Sequence, residues 1–452
     1  MKVCKFGGSS VADAAQILKI LDIVRSDAAR RIVVVSAPGK RNKGDDKVTD
    51  LLIACAADVL AGRDPAGNVA RVVARYESIR ADLDLPHALV EGTEAELRRR
   101  LAAPREHEGA FLDAVKALGE EQSARFCASA FTAHGLPSVY VDPRDAGMLL
   151  SEEFGSARLL PESYSRIKAK LSTIPEIVVF PGFYGYTRSG RIATFSRGGS
   201  DITGAILAAA LEADVYENFT DVDFVYAANP HIVDKPFPIP LFTYEEMREL
   251  SYGGFSVLHE EALAPVYSLG IPVNIRNTNN PDAPGTFIVA DDKAPKSTFP
   301  VVGIAADKGF LTIHVYKYMM NREIGFGRKL LQILEEEGIS YEHTPSGIDS
   351  ISIIIRELNC PADKLSRVTE KIRTTLGVNS VNVVHNQAIV MLVGRGMTKS
   401  VGIAARAAEA FNRAGININM INQGSSEVSI MFGVDDNDAK PAVKALYEEF
   451  FD

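Results

Sequence analysis

Lys5 stands two residues before Gly7-Gly8-Ser9, and far downstream Arg197 opens the string Gly198-Gly199-Ser200-Asp201. A glycine pair beside a cation and a serine suits the holding of phosphate. Without Cβ atoms the backbone N–H groups can close on an anion, and a helix starting just beyond adds its positive end. The adjacent cation supplies the charge that a transferring phosphoryl group requires. Arg197 can also grip both oxygens of a carboxylate with its planar fork. Ser200 and Asp201 sit where a helix N-cap would equally explain them. A third polar cluster runs from Glu217 to Tyr226. In it Thr220 and Asp221 could hold a nucleotide or organise its magnesium, and Tyr226 could pack on a base; an ordinary Asx turn would use the same residues. Glu120 and Glu121 open a predicted helix from Gly119 to His134, where acids commonly serve the helix dipole. The nearest approach to a Walker A loop, Gly394 to Ser400, has its glycines misplaced and reads as a strand-to-helix turn.

These residues need elements to carry them. The first glycine pair follows a predicted strand, Lys2 to Phe6, and helices are predicted over Val11 to Arg25 and Ile202 to Leu211. Continuous apolar, β-branched runs at 31–36, 138–141, 177–180 and 271–275 suit strands buried on both faces. Helices between them imply a mostly parallel sheet. The charged, alanine-rich stretch from Asn68 to Arg105 reads as a solvent-facing helical insertion. Turn residues at 280–285 and a polar stretch at 291–296 mark a domain boundary near residue 290.

Beyond it lies an internal repeat. Gly325, Gly338, Gly347 and Ser352 recur as Gly402, Gly415, Gly424 and Ser429, each 77 positions on. Each copy reads strand, helix, strand, strand, helix. The first spans 309–376 with a closing strand at 378–384, and its third element is a strand at 339–343. The second runs 387–450 and lacks its closing strand. The apolar stretch 300–305 is left over, which places the first copy inside the second.

With 452 residues, 46% hydrophobic and 24% charged, the chain has ordinary globular composition and length for two or three domains. A formal charge of −9 without a basic run argues against nucleic acid. Cys4, Cys55, Cys127 and Cys360 are scattered without metal-ligand spacing, so no metal site is expected and a reducing compartment fits. There is no leader-like start and no apolar run of membrane-spanning length. A soluble, cytoplasmic protein without a membrane partner is expected.

Taken together, Lys5-Phe6-Gly7-Gly8-Ser9-Ser10, Val48-Thr49-Asp50-Leu51-Leu52, Gly119-Glu120, Arg197 to Asp201, Thr220-Asp221-Val222 with Tyr226, Val257-Leu258-His259 and Pro272 to Arg276 resemble the aspartokinase branch of the amino-acid kinase family. The tandem repeats resemble its ACT domains, and the likeness spans essentially the whole chain. It implies an α/β fold: a three-layer sandwich around a mostly parallel sheet (1–290), then two ferredoxin-like βαββαβ ACT domains. The first of these (306–385) would be inserted in the second (300–305 plus 386–452). The implied activity is ATP-dependent phosphorylation of the L-aspartate β-carboxylate, with Mg²⁺ carried by the nucleotide. Lys5 and Asp201 would be catalytic. Thr49, Glu120, Thr194, Arg197, Gly198, Gly199 and Ser200 would bind aspartate; Lys5, Gly7, Gly8, Ser9, Thr220, Asp221 and Tyr226 would bind ATP. Met320, Glu323, Gly325, Tyr341 and Glu342 would contact an inhibitory amino acid, lysine or threonine, in a homodimer or tetramer assembled through the ACT domains. His231 and Ser256 stand where many of those proteins carry a basic residue. A kinase for another carboxylate or a nucleoside monophosphate, and a catalytically silent amino-acid sensor, are the competing readings.

Overall fold

A computed structural model describes every residue except Arg197, residues 256–259 and 296–298, Ser425 and Asp452, and excepting the side chains of Glu260 and Glu261. The chain forms two compact units: Met1–Val225 with Pro238–Arg248 and Ser256–Ala294, and Tyr226–Phe237 with Glu249–Phe255 and Pro295–Asp452.

The elements up to Ala294 run β1 (Lys2–Phe6), α1 (Ala14–Arg25), β2 (Arg30–Val35), α2 (Val48–Leu60), α3 (Ala66–Asp82), α4 (Ala88–Leu101), α5 (Glu108–Lys116), α6 (Leu118–Ala133), β3 (Ser138–Tyr140), β4 (Leu149–Leu150) and α7 (Ser163–Leu171). They continue as β5 (Ile177–Pro181), β6 (Tyr184–Thr187), β7 (Ile192–Thr194), α8 (Gly199–Ala210), β8 (Val215–Thr220), β9 (Val225–Tyr226), β10 (Pro238–Ile239), β11 (Leu241–Thr243), α9 (Tyr244–Tyr252), α10 (Ala264–Tyr267), β12 (Val273–Asn277) and β13 (Thr286–Val289). Eight strands form one sheet in the order β11-β13-β12-β8-β1-β2-β5-β3. Every neighbouring pair is parallel except β12 with β13.

Because side chains alternate along a strand, β1 divides its residues between two layers. Cys4 and Phe6 join Val33, Val35, Val179 and Phe219 in a core with α1 to α6. Lys5 points to the other face, where it meets α8. The stretch from Asn68 to Arg105 is not the solvent-facing insertion its charge suggested. In α3, Val69, Val72, Tyr76 and Ile79 recur at helical spacing and are buried in that core. The charged residues are anchored too: buried Arg75 donates to the Gly39 carbonyl, and Arg100 of α4 pairs with the buried Glu121 of α6.

The second unit carries β14 (Gly303–Tyr316), α11 (Phe326–Glu336), β15 (Ser350–Arg356), α12 (Ala362–Leu376), β16 (Ser380–Val393), α13 (Ile403–Arg413), β17 (Met420–Gln423), β18 (Ser429–Asp435) and α14 (Ala439–Phe451). Its antiparallel sheet has the order β15-β14-β16-β18-β17. The sequence pattern predicts separate strands at 300–305 and 309–315, and at 378–384 and 387–393. Each pair is one 14-residue strand, β14 and β16. Gly303 to Lys308 pair with Val393 to Ala388, while Thr312 to Tyr316 pair with Val384 to Ser380. Both strands are interrupted at equivalent repeat positions, Gly309 (φ +80°) and Asn386 (φ +56°). Residues 339–343 form no strand in the first copy; only an isolated bridge joins His343 to Ile354. Among the described residues no helix is long and apolar enough to cross a membrane.

Candidate active site

The carboxyl ends of parallel strands are where open α/β sheets bind ligands; here the turns after β1 and β8 carry sequence-selected residues, and the turns after β2 and β5 carry residues that no motif marked. Lys5 Nζ lies 2.5 Å from Asp201 Oδ1, in the first turn of α8, with both side chains largely buried. Asn218 Nδ2, beside Lys5 on β8, donates to the same oxygen at 2.9 Å, and Tyr216 Oη donates to the Asp201 carbonyl at 3.0 Å. Asp201 is thus fixed by the strand, and in turn fixes Lys5.

The two glycine turns meet at this pair. A Cβ on Gly7 would lie 3.6 Å from Lys5 Nζ. The Gly8 carbonyl accepts from the Gly39 amide at 2.8 Å, and a Cβ on Gly39 would fall 2.7–2.9 Å from the backbone of Gly8 and Ser9. Ser9 lies in the 3₁₀ turn Gly8–Val11 that follows. Gly198 caps α8 with φ +75°, a conformation that favours glycine. A Cβ on Gly199 would strike the Phe183 ring at 2.6 Å, and one on Gly182 would strike Ser200 at 2.6 Å. Phe183 itself has φ +76°, a rare backbone for a bulky residue. Arg197 lies outside the described residues.

Glu120 is buried in the first turn of α6, with its Oε2 unpartnered. Burial pushes its carboxyl up to about 8, against the lowering effect of the Ala37 amide and of Lys116. Gly119 allows this approach, since a Cβ there would lie 2.7 Å from Ala37 Cβ. Thr49 stands in the first turn of α2, which is tied to the same loop by the Val48 amide donating to the Pro38 carbonyl at 3.0 Å. Thr194 is buried at the end of β7; its amide donates to Asp113 Oδ2 at 2.8 Å.

At the other flank, Thr220 ends β8 and its hydroxyl donates to Asp221 Oδ1 at 3.2 Å. Tyr226 falls in the second unit. The His231 amide donates to Asn229 Oδ1 at 2.9 Å, while Ser256 and His259 lie outside the described residues. Glu217, from the same sequence cluster, is structural. Burial alone would raise its carboxyl, but Arg30 at 2.6 Å, Arg276 at 3.0 Å and Lys2 surround it, and it lies below its usual range.

In the second unit, Met320 is buried and Gly325 caps α11 with φ +79°. Glu323 is held by Lys317 at 2.6 Å and Lys329 at 2.9 Å. Tyr341 is exposed, and Glu342 accepts from Tyr252 Oη and pairs with Arg356 at 3.4 Å.

Sequence reasoning missed Ala37 to Gly39, Asp113, Lys116, Phe183 and Asn218. The Pro38-Gly39 turn after β2 was a readable signal. Asn218 lay within the polar cluster 217–226, and Asp113, Lys116 and Phe183 have no local motif.

A parallel sheet whose glycine turns converge on a lysine defines a phosphoryl-transfer site of small-molecule kinase type. The model of the amino acid kinase family matches residues 1–277, and that of an ACT domain matches 390–450. Aspartokinase 3 of Bacillus subtilis is 51% identical over 451 residues, covering 100% of this chain and 99% of that protein. The solved aspartate kinase of Clostridium acetobutylicum is 38% identical with a TM-score of 0.85, and both chains are covered completely. Aspartokinase III of E. coli, solved with aspartate and ADP, is 26% identical with a TM-score of 0.80. Solved with lysine and aspartate it gives 25% and 0.72, again covering 100% of both chains. The chain belongs to the amino acid kinase family, in its aspartokinase branch.

Proposed function

We propose that this protein is an aspartate kinase, transferring the γ-phosphoryl group of ATP to the β-carboxylate of L-aspartate to give 4-phospho-L-aspartate, the first step towards lysine, threonine and methionine. The observation that carries this reading is the Lys5–Asp201 pair at the meeting point of both glycine turns. The nucleophile is a carboxylate, ionised at neutral pH, so no general base is required. The task is to bring two anions together and stabilise charge on the migrating group.

Lys5 and the backbone N–H groups of Gly7, Gly8 and Ser9 meet the phosphates, and Asp201 aims the Lys5 ammonium. Glu120 receives the aspartate ammonium, and its unpartnered buried oxygen supports this role. Arg197 takes the α-carboxylate, with Thr49, Thr194 and Gly198 to Ser200 completing the acceptor side. Thr220, Asp221 and Tyr226 hold the nucleotide. Mg²⁺ enters with ATP as part of that substrate and screens its phosphate charge.

The kinase domain spans 1–290. The first ACT domain (306–385) is inserted in the second (300–305 plus 386–452), a division supported by the pairing of Gly303 to Ala305 with Val393 to Met391. Lysine or threonine acts as inhibitor at Met320, Glu323, Gly325, Tyr341 and Glu342, in a cytoplasmic homodimer or tetramer joined through the ACT domains. The aspartate, ADP and lysine held by the E. coli aspartokinase III structures support this assignment. Hydroxylamine trapping of acyl phosphate from Mg·ATP tests it. Product is expected with aspartate, not with glutamate or acetylglutamate, and suppressed by one effector. ATP binding without product from any acceptor would leave a sensor instead.

A further inference from the structure

Asp113 and Lys116 stand on α5, one turn apart, and no sequence motif marks them. Asp113 is fully buried and is used three times. Its Oδ2 accepts from the Thr194 amide at 2.8 Å and from the Gly155 amide at 2.7 Å, while its Oδ1 pairs with Lys116 Nζ at 2.7 Å. Lys116 Nζ then donates to Thr194 Oγ1 at 3.4 Å and lies 5.8 Å from the centre of the Phe183 ring. A hydroxyl oxygen that accepts from an ammonium must point its own hydrogen elsewhere.

We propose that Lys116, anchored by Asp113, is a positioning residue of the acceptor site: it turns the Thr194 hydroxyl hydrogen towards a carboxylate of the amino-acid substrate and sets a positive charge beside Glu120. This rests on the acceptor reading of Glu120 and Thr194. The charge matters because Glu120 must be ionised to receive an ammonium, and Lys116 offsets part of the rise that burial imposes. The other titratable groups around Glu120 are Tyr76 of α3, whose hydroxyl donates to the Gly119 carbonyl at 2.8 Å, and Glu121, engaged by Arg100 and Arg125.

The test is steady-state kinetics of the full chain from pH 6 to 9. Lys116→Met is expected to raise KM for aspartate about tenfold or more, the size of a lost charged hydrogen bond, with KM for ATP within about twofold of wild type. It should also move the acid limb of kcat/KM for aspartate to higher pH, which Lys116→Arg should not do. Because Lys116→Met strands the buried Asp113 charge, the double variant Asp113→Asn, Lys116→Met is measured beside it and should behave alike. Thr194→Val should raise the aspartate KM and leave the limb in place. Folded variants with an unmoved limb, whether KM for aspartate is unchanged or rises together with that for ATP, overturn this assignment alone. A wild-type chain that phosphorylates no aspartate overturns the acceptor reading and this assignment with it.

Discussion

Lys5 and Glu120 show how differently two buried ionisable groups can be held. Lys5 has its counterion, Asp201, and its function lies in being aimed. Lys5→Ala is expected to lower kcat about a hundred- to a thousandfold, as loss of one oriented donor does; single-turnover acyl-phosphate formation checks it. Glu120 lacks a counterion on one oxygen, and its carboxyl is pushed up to about 8. A raised folded-state value means that the neutral acid carries full stability below about 4.5, and that stability is lost as pH rises through about 8. Glu120→Gln should therefore gain stability over wild type between pH 7 and 9, read by denaturant melts, while losing affinity for aspartate. In the wild type the substrate ammonium should draw the proton off. Aspartate binding at pH 7 is expected to release most of one proton, measured by titration calorimetry in buffers of different ionisation enthalpy; zero release would remove the Glu120–ammonium pair. Lys5 was marked by the glycine turn beside it, whereas Asp201 and Glu120, which N-capping and the helix dipole would equally explain, were singled out through the family resemblance. Asp113 and Lys116 were not legible, since their meaning comes from β7, 78 residues downstream of Lys116.

Elements that looked peripheral in the sequence support the site through the loop after β2. Ala37 touches the Glu120 helix, Pro38 seats α2, and Gly39 lies against the first glycine turn. Arg75 of α3 holds the Gly39 carbonyl from behind. Gly39→Ala should displace that turn, because its neighbours are backbone atoms that cannot rotate away. A rise of at least about tenfold in KM for ATP, with aspartate affinity little changed, is the expected kinetic result. The parallel strands were readable from their β-branched runs. The role of α3 was not, since high charge masked an apolar stripe at helical spacing. Residues 339–343 carried a strand-like pattern, yet the chain joins β15 there only at His343, and again at Ser346, through isolated bridges to Ile354 and Ile351. Tertiary pairing overrides local β-propensity.

At the scale of the whole molecule, the repeat legible in the glycines is repeated in the backbone. Gly325 and Gly402 cap their helices with φ +79° and +90°, and Gly338 and Gly415 end them with φ +64° and +68°. The effector reading makes a specific demand on the first copy. Glu342 is engaged by Tyr252 and Arg356, so an amino-acid ammonium must compete for it. Glu342→Gln is expected to raise the inhibitor concentration for half-inhibition about tenfold or more while leaving uninhibited kcat unchanged; an unaltered inhibition curve would remove Glu342 from the effector site. What the sequence could not disclose is that the copies share strands. Since β14 and β16 each continue, past the irregularities at Gly309 and Asn386, from one module's ladder into the other's, neither module owns its central strands. Neither, then, has a lifetime of its own: opening one strips hydrogen-bond partners from the other, and both should melt as one foldon. Isotope-exchange mass spectrometry should accordingly find Gly303–Tyr316 and Ser380–Val393 exchanging together, in a single concerted step.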